Sequence, residues 1–199
     1  MVVQKSSCNG VMVQTPPKFI TLEEFLQLSE TKPASEFIDG QMLQKPMPQG
    51  EHSTIQGELV TVINAVTKPQ RIAWALPELR CTFGGRSIVP DIAVFTWERL
   101  PTNSNGTIAN NFEAHPDWII EILSPDQSST KVTAKILHSL KQGSQLGWLI
   151  DPAERSVLVY PPKQQPELFE EPDDIIAVPA FASQLHLTVE QMFSWLNVR

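Results

Sequence analysis

Along this chain the spacing of apolar residues switches between helical and strand-like, and each switch marks an element. Up to about Lys18 there is no periodicity, only a polar stretch with Pro16 and Pro17, which predicts a loose leader over 1–18. Thr21 followed by Glu24 has the form of a capping box, and Leu22, Phe25 and Leu26 give the short helix behind it an apolar side. Asp39-Gly40, set between Glu36-Phe37-Ile38 and Met42-Leu43, predicts a tight hairpin. Ile55, Leu59, Val62, Ile63 and Val66 then recur at helical spacing behind His52, with Ser53 as a candidate N-cap.

Runs rich in β-formers follow at 71–76, 78–83 and 88–95, the last two separated by Gly84 and Gly85. The polar stretch from about Glu98 to His115 is long for a connection in a compact protein, so it reads as mobile or functional. Trp118-Ile119-Ile120-Glu121-Ile122-Leu123 is apolar except at Glu121, which predicts a central strand covered on both faces. A helix is predicted from about Ser129 to Lys141, stopped by Gly143, with Val132, Ile136, Leu137 and Leu140 as its buried stripe. Two strands flank a turn at 147–152 and 156–160. Residues 161–174 form an edge excursion, and 188–196 close the chain as a helix. The elements together predict an α/β protein whose mixed central sheet is flanked by helices, with an N-terminal helix and hairpin.

The 199 residues, 41% hydrophobic and 19% charged, supply one ordinary core, so 19–199 is expected to be a single domain. No run approaches the roughly 18 to 20 apolar residues that span a bilayer, which points to a cytoplasmic chain with no membrane partner. Cys8 and Cys81 are too few for a disulfide framework and lack the spacing of a zinc site. The formal charge of −7 argues against coating nucleic acid by phosphate contacts alone. It argues less against metal-assisted chemistry on phosphates, where acidic ligands need a cation that also meets the phosphate.

Glu121 is the most informative residue, because an ionised carboxylate inside a buried strand costs several kcal/mol unless something compensates it. Asp117 lies on the same strand face but roughly 13 Å away, too far to share a metal. Asp91 opens the 92–95 strand, and if that strand neighbours the Glu121 strand the two carboxylates approach within about 5 Å. Such a pair suits Mg²⁺, which takes one or two carboxylates and keeps waters for a substrate phosphate.

The order Glu36-Phe37-Ile38-Asp39-Gly40, His52 before a helix, Pro90-Asp91, Pro116-Asp117-Trp118 through Glu121 to Pro125, Lys135, then Gly147-Trp148-Leu149-Ile150-Asp151-Pro152 resembles the Uma-type family of endonucleases. That family belongs to the PD-(D/E)xK, restriction-endonuclease-like superfamily, and the likeness covers about residues 19–160. The resemblance implies a metal-dependent DNA endonuclease using Mg²⁺ or Mn²⁺, with Asp91 and Glu121 as metal ligands and Glu36 as an early acidic residue. DNA is the implied partner, and a homodimer is compatible with it.

Two departures stand out. Leu123 occupies the place of the superfamily lysine, and the resemblance implies that the following helix supplies one, from Lys131 or Lys135. On the wheel Lys135 lies nearer the edge of the buried stripe, which favours it over Lys131. Leu146-Gly147 also stands where relatives carry Glu-Tyr. His52 either positions water or phosphate or merely precedes the helix cap, and Arg80 and Lys131 are candidates for phosphate contacts. Competing with the endonuclease are a nuclease fold that has lost turnover and serves as a binding or assembly module, and a hydrolase of small phosphoesters.

Overall fold

The computed structural model describes residues 20–125 and 127–199; the expected leader at 1–18, with Cys8, lies outside the described residues. Helix α1 (Leu22–Leu26) has the capping box, with Thr21 and Glu24 each bonding the other's backbone N–H. Phe25 is buried, whereas Leu26 is exposed. Strands β1 (Ser35–Ile38) and β2 (Gln41–Gln44) form the hairpin, with Asp39 and Gly40 at φ 51° and 81° as a two-residue turn of this hand requires.

Helix α2 (Gly50–Thr67) starts earlier than its pattern suggests. Gln49 is the N-cap, without a side-chain bond, and Ser53 lies inside the first turn, its N–H bonded to the Gln49 carbonyl. Ser53 is therefore not the cap, and His52 rides within the helix. The reason is local: Pro46 and Pro48 hold the chain extended, and the backbone turns into helix as soon as they end.

Strands β3 (Ala73–Pro77), β4 (Cys81–Phe83), β5 (Arg86–Ile88) and β6 (Ile92–Thr96) follow, then β7 (Trp118–Ile122), α3 (Ser129–Gln142), β8 (Leu146–Asp151), β9 (Ser156–Tyr160), β10 (Glu167–Phe169) and α4 (Val189–Ser194). They build two sheets, an antiparallel one in the order β2-β1-β5-β4 and a mixed one in the order β10-β9-β8-β7-β6-β3. Only β7 and β8 pair in parallel among these strands, because α3 carries the chain back across the sheet between them. The 98–115 connection is tied to the fold through Arg99 and Phe112 and contributes no residue to the acidic site. Phe112 packs with Cys81, Ala93 and Phe95, and Arg99 reaches Asp117 at 2.7 Å.

All five residues of β7 are buried, and their alternation sorts them between two cores. Trp118, Ile120 and Ile122 pack with Ile55, Leu59 and Ile63 of α2. Ile119 packs with Val132 and Ile136 of α3, and Glu121 shares that face. The buried stripe of α3 is rotated from the expected one: Val132, Lys135, Ile136 and Ser139 are buried, whereas Leu137 is 51% exposed. Lys135 therefore sits within the stripe and not at its edge. The sheet beneath α3 includes a carboxylate, so the side chain that completes the contact is a lysine.

Close packing of α3 depends on Gly147, where an added Cβ would collide with Ile136 Cγ2. A Gly147→Ala variant is expected to lose about 1–3 kcal/mol by overpacking, seen as a fall of several degrees in the thermal midpoint. An unchanged midpoint would show that α3 can lift without cost.

Candidate active site

Three charged side chains from separate elements meet where α3 packs on the sheets. Glu36 projects from β1, Glu121 from β7 and Lys135 from α3, and all three are buried. The Lys135 ammonium lies 2.8 Å from Glu36 Oε1, 2.9 Å from Glu121 Oε1 and 3.1 Å from Glu121 Oε2, hydrogen-bonding only the last of the Glu121 oxygens. Glu36 Oε1 also accepts the Val89 N–H at 2.8 Å. The early acidic residue is thus enclosed by protein, because β1 sits between β2 and β5.

Asp91 precedes β6, whose antiparallel register with β7 pairs Ile92 with Ile120 and so brings Asp91 opposite Glu121. Its Oδ2 accepts the Ile122 N–H at 2.7 Å and lies 3.2 Å from His52 Nε2. Its Oδ1 lies 2.6 Å from the Lys45 ammonium. Gln56 of α2 holds the Asp91 carbonyl at 2.8 Å. His52 Nδ1 is buried with no hydrogen-bond partner among the described residues. With the ring proton on Nε2 toward Asp91, that atom is a free acceptor.

Lys131 is exposed on the first turn of α3, and Arg80 forms an ion pair with Glu30 at 2.7 Å while lying over the Phe25 ring. Neither is brought to the cluster; Arg80 instead lines a separate cleft of about 660 Å³. Lys45, Glu78 and Gln56 escaped the sequence reading. Lys45 lies just beyond a four-residue strand in a proline-rich stretch, where no periodicity gives its direction. Its one signal is that it stands between the hairpin and His52.

Beside Asp91 is a cavity of about 10 Å³, lined by Lys45, His52, Glu78, Asp91, Ser124 and Gln127 among others. It has room for about one water. His52, Ser124 and Gln127 also line a larger cleft of about 510 Å³, at which the first turns of α2 and α3 arrive. Both helices have N-caps without side-chain bonds, so backbone N–H groups remain for whatever enters there.

Burial pushes the Glu121 carboxyl up, with Asp91 and Glu36 adding to it and the two lysines opposing, to about 8. Asp91 is driven the other way: burial would raise it, but the His52 hydrogen bond and the Lys45 charge hold it well below the usual carboxylate range. Lys135 is raised, since Glu121, Glu36 and Asp91 outweigh the burial that works against its charge. The site thus favours the ionised form of Asp91 and the protonated form of Glu121.

A family model described as "Putative restriction endonuclease", named Uma2, matches residues 22–190. The chain belongs to the Uma2 family. A crystal structure of a putative nuclease from Anabaena variabilis is 64% identical, covers 89% of this chain and 99% of its own, and superposes with a TM-score of 0.89. The fold is therefore the mixed α/β fold of that nuclease, as the resemblance implied. No curated protein matches the chain significantly.

Among the described residues no group of three or more His, Cys, Asp or Glu side chains is arranged to hold a metal. The carboxylates of Asp91 and Glu121, set opposite each other by the β6–β7 register, fit Mg²⁺, which needs only one or two carboxylates. Glu121 Oε1, 2.9 Å from the Lys135 ammonium and without a hydrogen bond among the described residues, is an oxygen such an ion would ligate.

The raised Glu121 carboxyl makes a pH prediction with a definite sign. Between about pH 4.5 and 8 the unfolded chain has released the Glu121 proton while the folded chain keeps it, so wild-type stability falls as pH rises. Glu121→Gln has no proton to lose. In melts from pH 5 to 8 its stability relative to wild type should increase by up to about 1 kcal/mol per pH unit. Parallel stability curves would contradict a protonated Glu121.

Proposed function

We propose that this chain is a nuclease that hydrolyses phosphodiester bonds in DNA, with Asp91 and Glu121 holding Mg²⁺ or Mn²⁺. The observation that supports this most is the lysine. Leu123 can neither donate a proton nor offset charge, yet an ammonium from α3 stands 2.9 Å from Glu121. Lysine and carboxylate share a buried site although the chain between them leaves the strand and returns as a helix. A core selected only for stability would more often be apolar here, since ion pairs inside proteins seldom outperform hydrophobic packing.

A bound divalent ion supplies Lewis acidity and a water of lowered pKa. The chain does the rest. Asp91, fixed by the Ile122 N–H and His52, offers an ionised carboxylate in one orientation. Glu121 would hold such an ion through its carboxylate, its proton passing to solvent. Lys135, steadied by Glu36, provides positive charge where a phosphoryl group gains negative charge. His52, held against Asp91, lines the cleft beside it. The large cleft admits the nucleic acid backbone, and its free helix N–H groups suit phosphate oxygens.

A second reading, a nuclease-fold module that binds without cutting, is favoured by one observation: Asp91 already carries an ammonium.

The purified full chain is tested on plasmid DNA with Mg²⁺ or Mn²⁺, with circular dichroism checking that each variant folds. Metal-dependent cleavage is expected, lowered about 10²-fold or more by Asp91→Ala and by Lys135→Ala. Asp91→Ala should also abolish metal-induced stabilisation in thermal melts. Wild-type protein that binds DNA without cutting it would favour the second reading, and full activity in Lys135→Ala would remove that lysine from the mechanism.

A further inference from the structure

We propose that Lys45 is a built-in competitor for the metal site: its ammonium occupies Asp91 in the free protein, yields that carboxylate to a divalent ion, and then contacts a phosphate of the incoming nucleic acid. The proposal rests on the nuclease reading above and adds to it the residue that couples metal uptake to substrate.

Four observations carry it. Lys45 Nζ lies 2.6 Å from Asp91 Oδ1, the oxygen that neither the Ile122 N–H nor His52 uses. A cation ligated through that oxygen would lie against a second positive charge. The adjoining cavity of about 10 Å³ holds about one water, too little for Mg²⁺ with its several waters unless a side chain withdraws. Lys45 is the cation in that wall, between Pro46 and the end of β2, whereas Lys135 sits between two carboxylates.

A way out is also present. Glu78, 44% exposed at the rim, lies 3.3 Å from the same ammonium, and its backbone, at φ 50°, is bonded to the Asp91 carbonyl. An ammonium leaving Asp91 keeps a carboxylate partner while it swings toward solvent. A phosphate in the cleft then takes Glu78's place. The Val89 carbonyl, 2.9 Å from Nζ, marks the inner end of this path.

The competition is read without DNA or turnover. Calorimetric titration of Mn²⁺ into the metal-free full chain is compared for wild type, Lys45→Met and Lys45→Gln. The amide variant retains a donor for Asp91 should the methionine fail to fold. Either variant is expected to bind Mn²⁺ at least tenfold more tightly than wild type. DNA binding in Ca²⁺, measured against salt, is expected to weaken and to show a slope shallower by about one. Unchanged or weaker Mn²⁺ binding overturns the competition, and an unchanged salt slope overturns the phosphate contact. If wild type cleaves DNA through Asp91 while Mn²⁺ binding ignores Lys45, this inference falls and the nuclease reading stands. If neither wild type nor the variants bind Mn²⁺, both fall.

Discussion

An ammonium buried between two carboxylates ties this fold together at one point. Lys135 comes from α3, Glu36 from the four-stranded sheet and Glu121 from the centre of the six-stranded sheet, so one cluster joins three separate units. Removing Lys135 leaves Glu36 buried without its cation, a loss of roughly 3–5 kcal/mol. The apolar packing around it has a matching role. Gly147 lets α3 approach closely enough for the lysine to reach both acids, and Ile136 fills the space beside it.

The balance of charge in the cluster explains its chemistry. Glu36, Asp91 and Glu121 would bring three negative charges, against two positive from Lys45 and Lys135, with His52 between Asp91 and the cleft. One negative charge is left over, and burial makes it expensive to keep. It is met by the proton that Glu121 retains to about pH 8. On the proposed reading a cation entering the site would displace that proton and the Lys45 contact together, so the residues that stabilise the free protein would also set how readily it takes a metal.

Much of this could be read from the chain because it depends on local rules. The Thr21–Glu24 capping box, the Asp39-Gly40 turn, the all-apolar β7 with its single acid and the glycine stop of α3 each follow from spacing within one element. Glu121 stood out for the same reason, as a charge where no charge belongs. What escaped depends on three-dimensional neighbours. The helix wheel turned Lys135 toward the sheet but left Leu137 inside, because a lysine counts as polar until the acids opposite it are known. Lys45 lies outside any periodic element, and its contact with Asp91 arises only when the hairpin folds over the end of β6. The start of α2 was displaced because proline geometry outweighed the preference for serine as a cap.

The central claim is that Asp91 and Glu121 together form a cation site that protons and lysines fill when no metal is bound. Anomalous diffraction from crystals of the full chain soaked in Mn²⁺ tests it most directly. The claim predicts an anomalous peak bound by carboxylate oxygens of both Asp91 and Glu121, with the Lys45 ammonium withdrawn from Asp91. Soaked crystals with no peak at that pair, and with Lys45 still seated on Asp91, would contradict it.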